Sequence, residues 1–170
     1  LDLFELNFVL IAAELWKKLD PKDEERPNAL TYIAYKHLLN ERWGIAEGLS
    51  YFVTADRQTS EKSQMLGQLN YWQSVKWQGQ FENIRKNIEQ ADFSAKDPLY
   101  QLAQLALLNR NEEFFSLLPE VLRSQKLTTE DLQQWPLFRE MRKEAAFNSF
   151  IQEESSGSEI QLEEQKESVH

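Results

Sequence analysis

The chain is punctuated for helices. Its apolar residues fall into stripes at helical spacing, and proline, glycine and capping side chains cut one stripe from the next. Asp20-Pro21 stops a first helix, because the residue before a proline leaves the α region. Pro27 suits the first turn of a second helix, which carries Leu30, Ile33, Ala34, His37 and Leu38 on one side and ends at Asn40. Glu41-Arg42 opens a third, lined by Trp43, Ala46, Leu49 and Val53. Thr59 or Ser60 caps a fourth, striped by Met65, Leu69, Trp72 and Val75 and broken by Gly79. Phe81, Ile84, Ile88 and Ala91 mark a fifth. Asp97-Pro98 pairs an N-cap aspartate with an N1 proline and starts a sixth through Leu99, Leu102, Ala103, Leu105 and Ala106. Asn111 caps a seventh, which buries Phe114, Phe115, Leu118, Val121 and Leu122 and is kinked or delayed by Pro119. Thr128-Thr129-Glu130-Asp131 reads as a capping-box start, and Leu137–Met141 and Ala145–Ile151 fold back over the last hairpin. Segments of roughly 12–16 residues joined by short turns must pack antiparallel with their sequence neighbours. The expected class is therefore all-α, made of stacked antiparallel helix hairpins with a capping C-terminal segment.

The 170 residues suffice for one domain with a real core. With 5 glycines and 5 prolines the chain is poorly supplied for a turn-rich β architecture. A net charge of −9 argues against nucleic acid, which needs a cationic footprint to release phosphate counterions, and against an anionic membrane surface. No cysteine is present, so disulfides, thiolate metal sites and a cysteine nucleophile are excluded. Leu3–Trp16 is strongly apolar, but Glu5 and Glu14 interrupt it and it falls short of the ~20 residues that span a bilayer. It is read as a packing helix over residues 1–19, with an interfacial anchor as the alternative, and the chain as cytoplasmic. The first residue is Leu1, compatible with a processed chain or a piece of something longer. From Glu153 the composition turns acidic and nearly free of apolar area, so 153–170 is expected to be a flexible tail.

The stripes also repeat. Ala34 and Ala46, Trp72 and Ile84, and Ala103 and Phe115 are each twelve residues apart, and the first members step by 38 and 31 residues, near the ~34 of a tetratricopeptide unit. On these residues the chain resembles the tetratricopeptide-repeat family, in degenerate form. In the unit Asn28–Ala55, Ile33-Ala34 stands where the family prefers an apolar residue followed by a small one, Trp43 at the aromatic turn position and Ala46 at the helix contact. The second unit, about 66–93, keeps Gly79 and Phe81 at the turn but puts Trp72 and Ile84 where small residues belong; the third, about 97–127, keeps Ala103 but has Phe115. Trp135-Pro136-Leu137-Phe138-Arg139, with Phe147 and Phe150, looks like the capping tail of bacterial repeat arrays. The resemblance implies a short α-solenoid: three hairpins over 28–127, capping helices over 128–152, and stacking that completes each hairpin's core. It further implies a concave face, formed by the first helix of each hairpin, that binds peptides. Mapped here, that face offers Thr31, Tyr35, Gln73, Lys76, Tyr100 and Gln104. The lysine and asparagine set with which some members clamp a terminal carboxylate is missing.

Catalytic and metal constellations do not assemble from the residue types. The two histidines, His37 and His170, lie far apart; His37 sits near an apolar stripe and reads as structural. The acidic runs Asp23-Glu24-Glu25 and Glu163-Glu164 lack the alternating ligands and glycine of a calcium loop. No Gly-x-Ser-x-Gly elbow or phosphate loop is present. Tyr71, Trp72 and Trp77 cannot all hide in one helical stripe, so one of them fills the core or anchors a partner. The expectation is a non-enzymatic module without cofactor or metal that binds a protein or peptide, with no nucleic-acid partner and no membrane span. Two alternatives stay open: a structural assembly domain whose Leu3–Leu19 packs on a missing segment or, as a homo-oligomer, on a second copy, and an acidic regulator that binds a basic protein partner.

Overall fold

The computed structural model describes residues 3–19, 25–56 and 59–152. Among them the structure is helical throughout, without a strand. Helix α1 spans Leu3–Lys18, α2 Glu25–Leu39, α3 Trp43–Ala55 and α4 Glu61–Trp77. A 3₁₀ turn at Phe81–Asn83 leads into α5, Arg85–Gln90; then come α6, Pro98–Leu107, α7, Asn111–Arg123, and α8, Thr129–Gln134. Two further 3₁₀ turns, Pro136–Phe138 and Met141–Lys143, precede a last helix α9 over residues 145–152. Asp20-Pro21, Asp23-Glu24, the tail 153–170 and His170 lie outside the described residues.

The same turn closes three hairpins. Glu41, Gly79 and Asn109 each take a positive φ just past a helix end. In each case the following residue's N–H reaches back five residues: Arg42 to the His37 carbonyl at 2.9 Å, Gln80 to Val75 at 3.1 Å and Arg110 to Leu105 at 3.0 Å. This is the left-handed C-cap, which satisfies the last carbonyls and reverses the chain. Measured from these turns, Ala34, Trp72 and Leu102 are equivalent on the outgoing helices, and Ala46, Ile84 and Phe114 on the returning arms; all six are buried. The twelve-residue spacing therefore holds, but in the third hairpin it runs from Leu102 to Phe114. The sequence alignment on Ala103 and Phe115 was one residue out, and Phe115 is half-buried beside Phe114.

Helices α2 and α3 pack together, α3 packs on α4, and α6 on α7. The outgoing helices also touch in series, α2 on α4 and α4 on α6. The second hairpin departs from expectation, because its returning arm is only a 3₁₀ turn and the six-residue α5. The amide of Gln104 on α6 donates to the Ile88 carbonyl at 2.6 Å and the Ala91 carbonyl at 2.9 Å, so that short helix is capped from outside. Asp92 then accepts from the Ser94 N–H at 2.9 Å and turns the chain toward α6.

Side-chain caps fix the starts of α4, α6 and α8. Ser60 accepts from the Ser63 N–H at 3.3 Å, Asp97 from the Leu99 N–H at 3.1 Å, and Thr128 and Asp131 form a reciprocal capping box. Asn111 is a correction: Arg110 occupies the N-cap position without a side-chain bond, and the Asn111 Oδ1 is buried without a partner. Pro119 lies inside α7, which continues to Arg123.

Two apolar cores result. The smaller joins Val9, Trp16, Leu30, Ala34, Ile45, Leu49 and Val53; the larger runs from Leu69 on α4 through α6 and α7 to Phe138 and Phe147. Helix α1 packs on α3, with Val9 over Gly48, and leaves its other side open. Leu3, Phe4 and Ile11 are 76%, 72% and 62% exposed, with Leu6, Leu10, Leu15 and Leu19 also exposed. On α2, Ile33 is turned outward, although the stripe included it, while His37 is half-buried with its ring 5.1 Å from Phe8.

Candidate functional site

The outgoing helices stand side by side, and a cavity of about 770 Å³ opens across them. Helix α2 contributes Thr31, Tyr32 and Tyr35; α4 contributes Lys62, Leu66 and Asn70; the start of α6 contributes Asp97, Leu99 and Tyr100. Lys126, Leu127, Asp131 and Trp135 form the remaining wall. Spacing explains the α4 set, since Lys62, Leu66 and Asn70 are four residues apart and share one helix face. Register explains a second set: Tyr32, Asn70 and Tyr100 each lie nine residues before a left-handed turn residue, at Glu41, Gly79 and Asn109. Each hairpin thus delivers the same position to the cavity.

The wall is held rigidly. Asp131 Oδ2 accepts from the Thr128 N–H at 2.9 Å and the Thr128 hydroxyl at 2.7 Å. The Trp135 N–H donates to the Asp131 carbonyl at 2.8 Å, and Arg142 donates to the Leu132 and Trp135 carbonyls, both at 2.9 Å. The Trp135 ring meets Phe138 edge-on at 5.4 Å and Tyr35 at 6.5 Å with an interplanar angle of 82°. Lys126 is ion-paired with Asp97, the residue that caps α6. Burial raises the Tyr35 hydroxyl above its ordinary pKa, assisted by Asp131 and Glu130; burial likewise raises Tyr100, assisted by Asp97 and Glu61. Asn70 is buried, with its amide 3.5 Å from the Thr31 carbonyl.

Of the six positions read from the sequence, the structure brings Thr31, Tyr35 and Tyr100 to this cavity. Gln73, Lys76 and Gln104 are not among its walls. Gln73 is fully buried and donates to Asn70 Oδ1 at 3.0 Å. The Lys76 ammonium is 2.8 Å from the Leu107 carbonyl, 2.8 Å from Asn109 Oδ1 and 3.4 Å from the Ala106 carbonyl. It also lies 4.8 Å from the Trp77 ring centroid, and burial lowers its pKa to about 8. Gln104 caps α5. All three donate to groups of the fold itself, and Gln73 Oε1 is buried without a partner. Trp135 and Asp131, which the sequence reading assigned only to the capping segment, belong to the cavity wall; the signal for them was the capping box and the Trp-Pro pair directly after it.

Among the described residues no three His, Asp or Glu side chains gather as a metal site requires, and no helix is long and apolar enough to cross a membrane. No family model, curated protein or solved structure matches the chain.

Proposed function

We propose that the chain is a non-enzymatic interaction module that takes an extended segment of another protein into the groove across α2, α4 and α6, in a degenerate tetratricopeptide-like array. One observation carries the reading. Three successive hairpins present Tyr32, Asn70 and Tyr100 at one register to a single open cavity. Aromatic rings with a few fixed polar groups are what a binding groove uses to gain contact area at low entropic cost. About 770 Å³ holds several peptide residues rather than a whole domain. The test is selection of peptides from a random displayed library on the immobilised chain, followed by titration against Tyr35→Ala and Tyr100→Ala. A loss of about tenfold or more in each variant supports the groove; equal affinity for the native chain and both variants removes it.

The outer face of α1 favours a second reading, assembly through a second copy of the chain. Leu3, Phe4, Leu6, Leu10, Ile11 and Leu15 of α1, with Leu19 just past its end, stay exposed, an apolar run of the kind that marks an interaction surface. Antiparallel α1 helices around a two-fold axis would cover part of this surface on both copies and oppose the helix dipoles. Sedimentation over a wide concentration range tests this. A dimer that Leu10→Glu with Ile11→Glu converts to monomer supports it, and a native chain that stays monomeric removes it.

A further inference from the structure

We propose that the Tyr35–Trp135 corner of the groove, with the Asp131 carboxylate beside it, is a subsite for an arginine side chain of the bound segment. The inference rests on the groove reading above and names the chemistry it selects. Three observations converge on one place. First, two aromatic rings meet there at nearly a right angle, 6.5 Å apart, and both line the cavity. A planar guanidinium can stack on one ring and lie along the edge of the other, a geometry an ammonium does not match. Second, Asp131 lines the same cavity with its carboxylate already oriented. Oδ2 is held by the Thr128 N–H and hydroxyl, while Oδ1 accepts no hydrogen bond among the described residues. Third, among the described residues no cation is ion-paired with Asp131. Of the two lysines that line the cavity, Lys126 is paired with Asp97 and Lys62 acts on that same aspartate.

The corner is built before any ligand arrives. Arg142 fixes the Trp135 backbone from behind through two carbonyls, and Phe138, fully buried, props the indole. A preformed site loses little entropy when it binds. Glu130 adds to the negative field at Tyr35, and the net charge of −9 draws a cationic segment toward the molecule.

The test uses the whole chain, ¹⁵N-labelled, and titrates N-acetyl-L-arginine amide while the tryptophan indole N–H signals are followed by NMR. Trp135→Phe assigns the Trp135 signal. The expected result is a saturable shift of the Trp135 indole. The neutral isostere N-acetyl-L-citrulline amide should bind about five- to tenfold more weakly, as should the arginine probe to Asp131→Asn. Asparagine keeps an acceptor for Thr128, so the capping box survives in that variant. Added salt should weaken the arginine probe but not the citrulline one. No saturable shift at Trp135, or equal binding of the two probes, overturns the subsite. Peptides that bind in a Tyr100-dependent way without an arginine effect leave the groove standing and the subsite refuted. An arginine effect without any Tyr100-dependent peptide refutes the groove instead.

Discussion

The ammonium of Lys76, on the last turn of α4, lies 2.8 Å from the carbonyl of Leu107, the last residue of α6. One side chain thus crosses from the second hairpin to the third and meets the negative end of its helix. The same nitrogen bonds Asn109 Oδ1, on the left-handed residue that closes that hairpin. Lys76 therefore ties a helix end, a turn and a neighbouring helix into one joint. Gln104 performs a similar service in the opposite direction, from α6 onto the end of α5. The groove depends on these joints, because they hold the outgoing helices in the series from which its walls are drawn.

Lys76 carries a pH signature. Burial lowers its pKa from the ordinary 10.5 to about 8, a change that Glu140 opposes and Lys143 assists. Between about pH 8 and 10.5 the unfolded chain then binds more protons at this position than the folded chain, so folding stability gains as pH rises through that window. Lys76→Met keeps the stem and removes the ammonium, leaving the carbonyls at the end of α6 without it. At pH 7 the variant loses these hydrogen bonds but also the cost of burying the ammonium, so its stability should stay close to that of the native chain. Urea unfolding at pH 7 and pH 9.5 should show the gap between native chain and variant widening at the higher pH. A constant or shrinking gap would show that the pKa is not lowered.

The three hairpin turns use one backbone conformation with different residues, and this separates two substitutions of opposite sign. Glu41 holds φ at 56° without being glycine, and its side chain makes only an exposed contact with Arg139 at 3.6 Å. Glu41→Gly should stabilise the chain by about 1 kcal/mol, since the left-handed conformation costs a residue with a Cβ about that much. Gly79 holds φ at 77°, and a Cβ there would meet nothing within 4 Å. Gly79→Ala should cost about 1 kcal/mol through the backbone alone. Thermal melts of the two variants are expected to move in opposite directions.

At Gly67, α4 lies tight against α3. A Cβ at Gly67 would lie 2.8 Å from Val53 Cγ1 and 3.1 Å from Val53 Cβ. Val53 is fully buried, so its side chain has little room to yield. Gly67→Ala gains up to ~1 kcal/mol in helix propensity but incurs an overpacking cost of about 1–3 kcal/mol, and the net is destabilising. Val53→Ala alone opens a cavity and also destabilises. Together the two should lose clearly less than the sum of the single losses, because the new methyl occupies space the valine vacates. A double-mutant cycle by chemical denaturation measures the coupling.

Much of the fold was legible because helix ends announce themselves. Asp97-Pro98, Thr128 with Asp131, and Gly79 each act on the backbone in the way their chemistry dictates. The twelve-residue spacing was legible too, although in the third hairpin alignment on the small residue Ala103 displaced it from Leu102 by one. Helix α4 hid its role. It buries Ser63, Asn70, Gln73 and Ser74 alongside Leu69 and Trp72, so polarity along it does not report which side faces solvent. That is why Gln73 and Lys76 were read as groove positions while Lys62, Leu66 and Asn70, on the same helix, hold them. The left-handed conformation from which the true register is measured leaves no trace in the residue type of Glu41, whereas Asn109 is a type that tolerates it. Trp135 and Asp131 come from a segment that pairs with the groove only through tertiary packing.

The division between groove residues and fold residues predicts two kinds of variant. Tyr100 lines the cavity, and its ring packs 5.9 Å from Phe93. Tyr100→Phe keeps the ring and removes the hydroxyl, so stability should change by less than about 1 kcal/mol while a peptide selected on the native groove binds more weakly. Gln104 lies on the same helix and does not line the cavity. Gln104→Ala removes the two caps on α5 and should lower stability by about 1–2 kcal/mol, with peptide affinity unchanged where the variant is folded. Urea unfolding and peptide anisotropy, read on both variants, separate the two effects. Equal loss of affinity in Gln104→Ala and Tyr100→Phe at matched folded fractions would mean that the bound segment covers more of α6 than the cavity across α2, α4 and α6 presents.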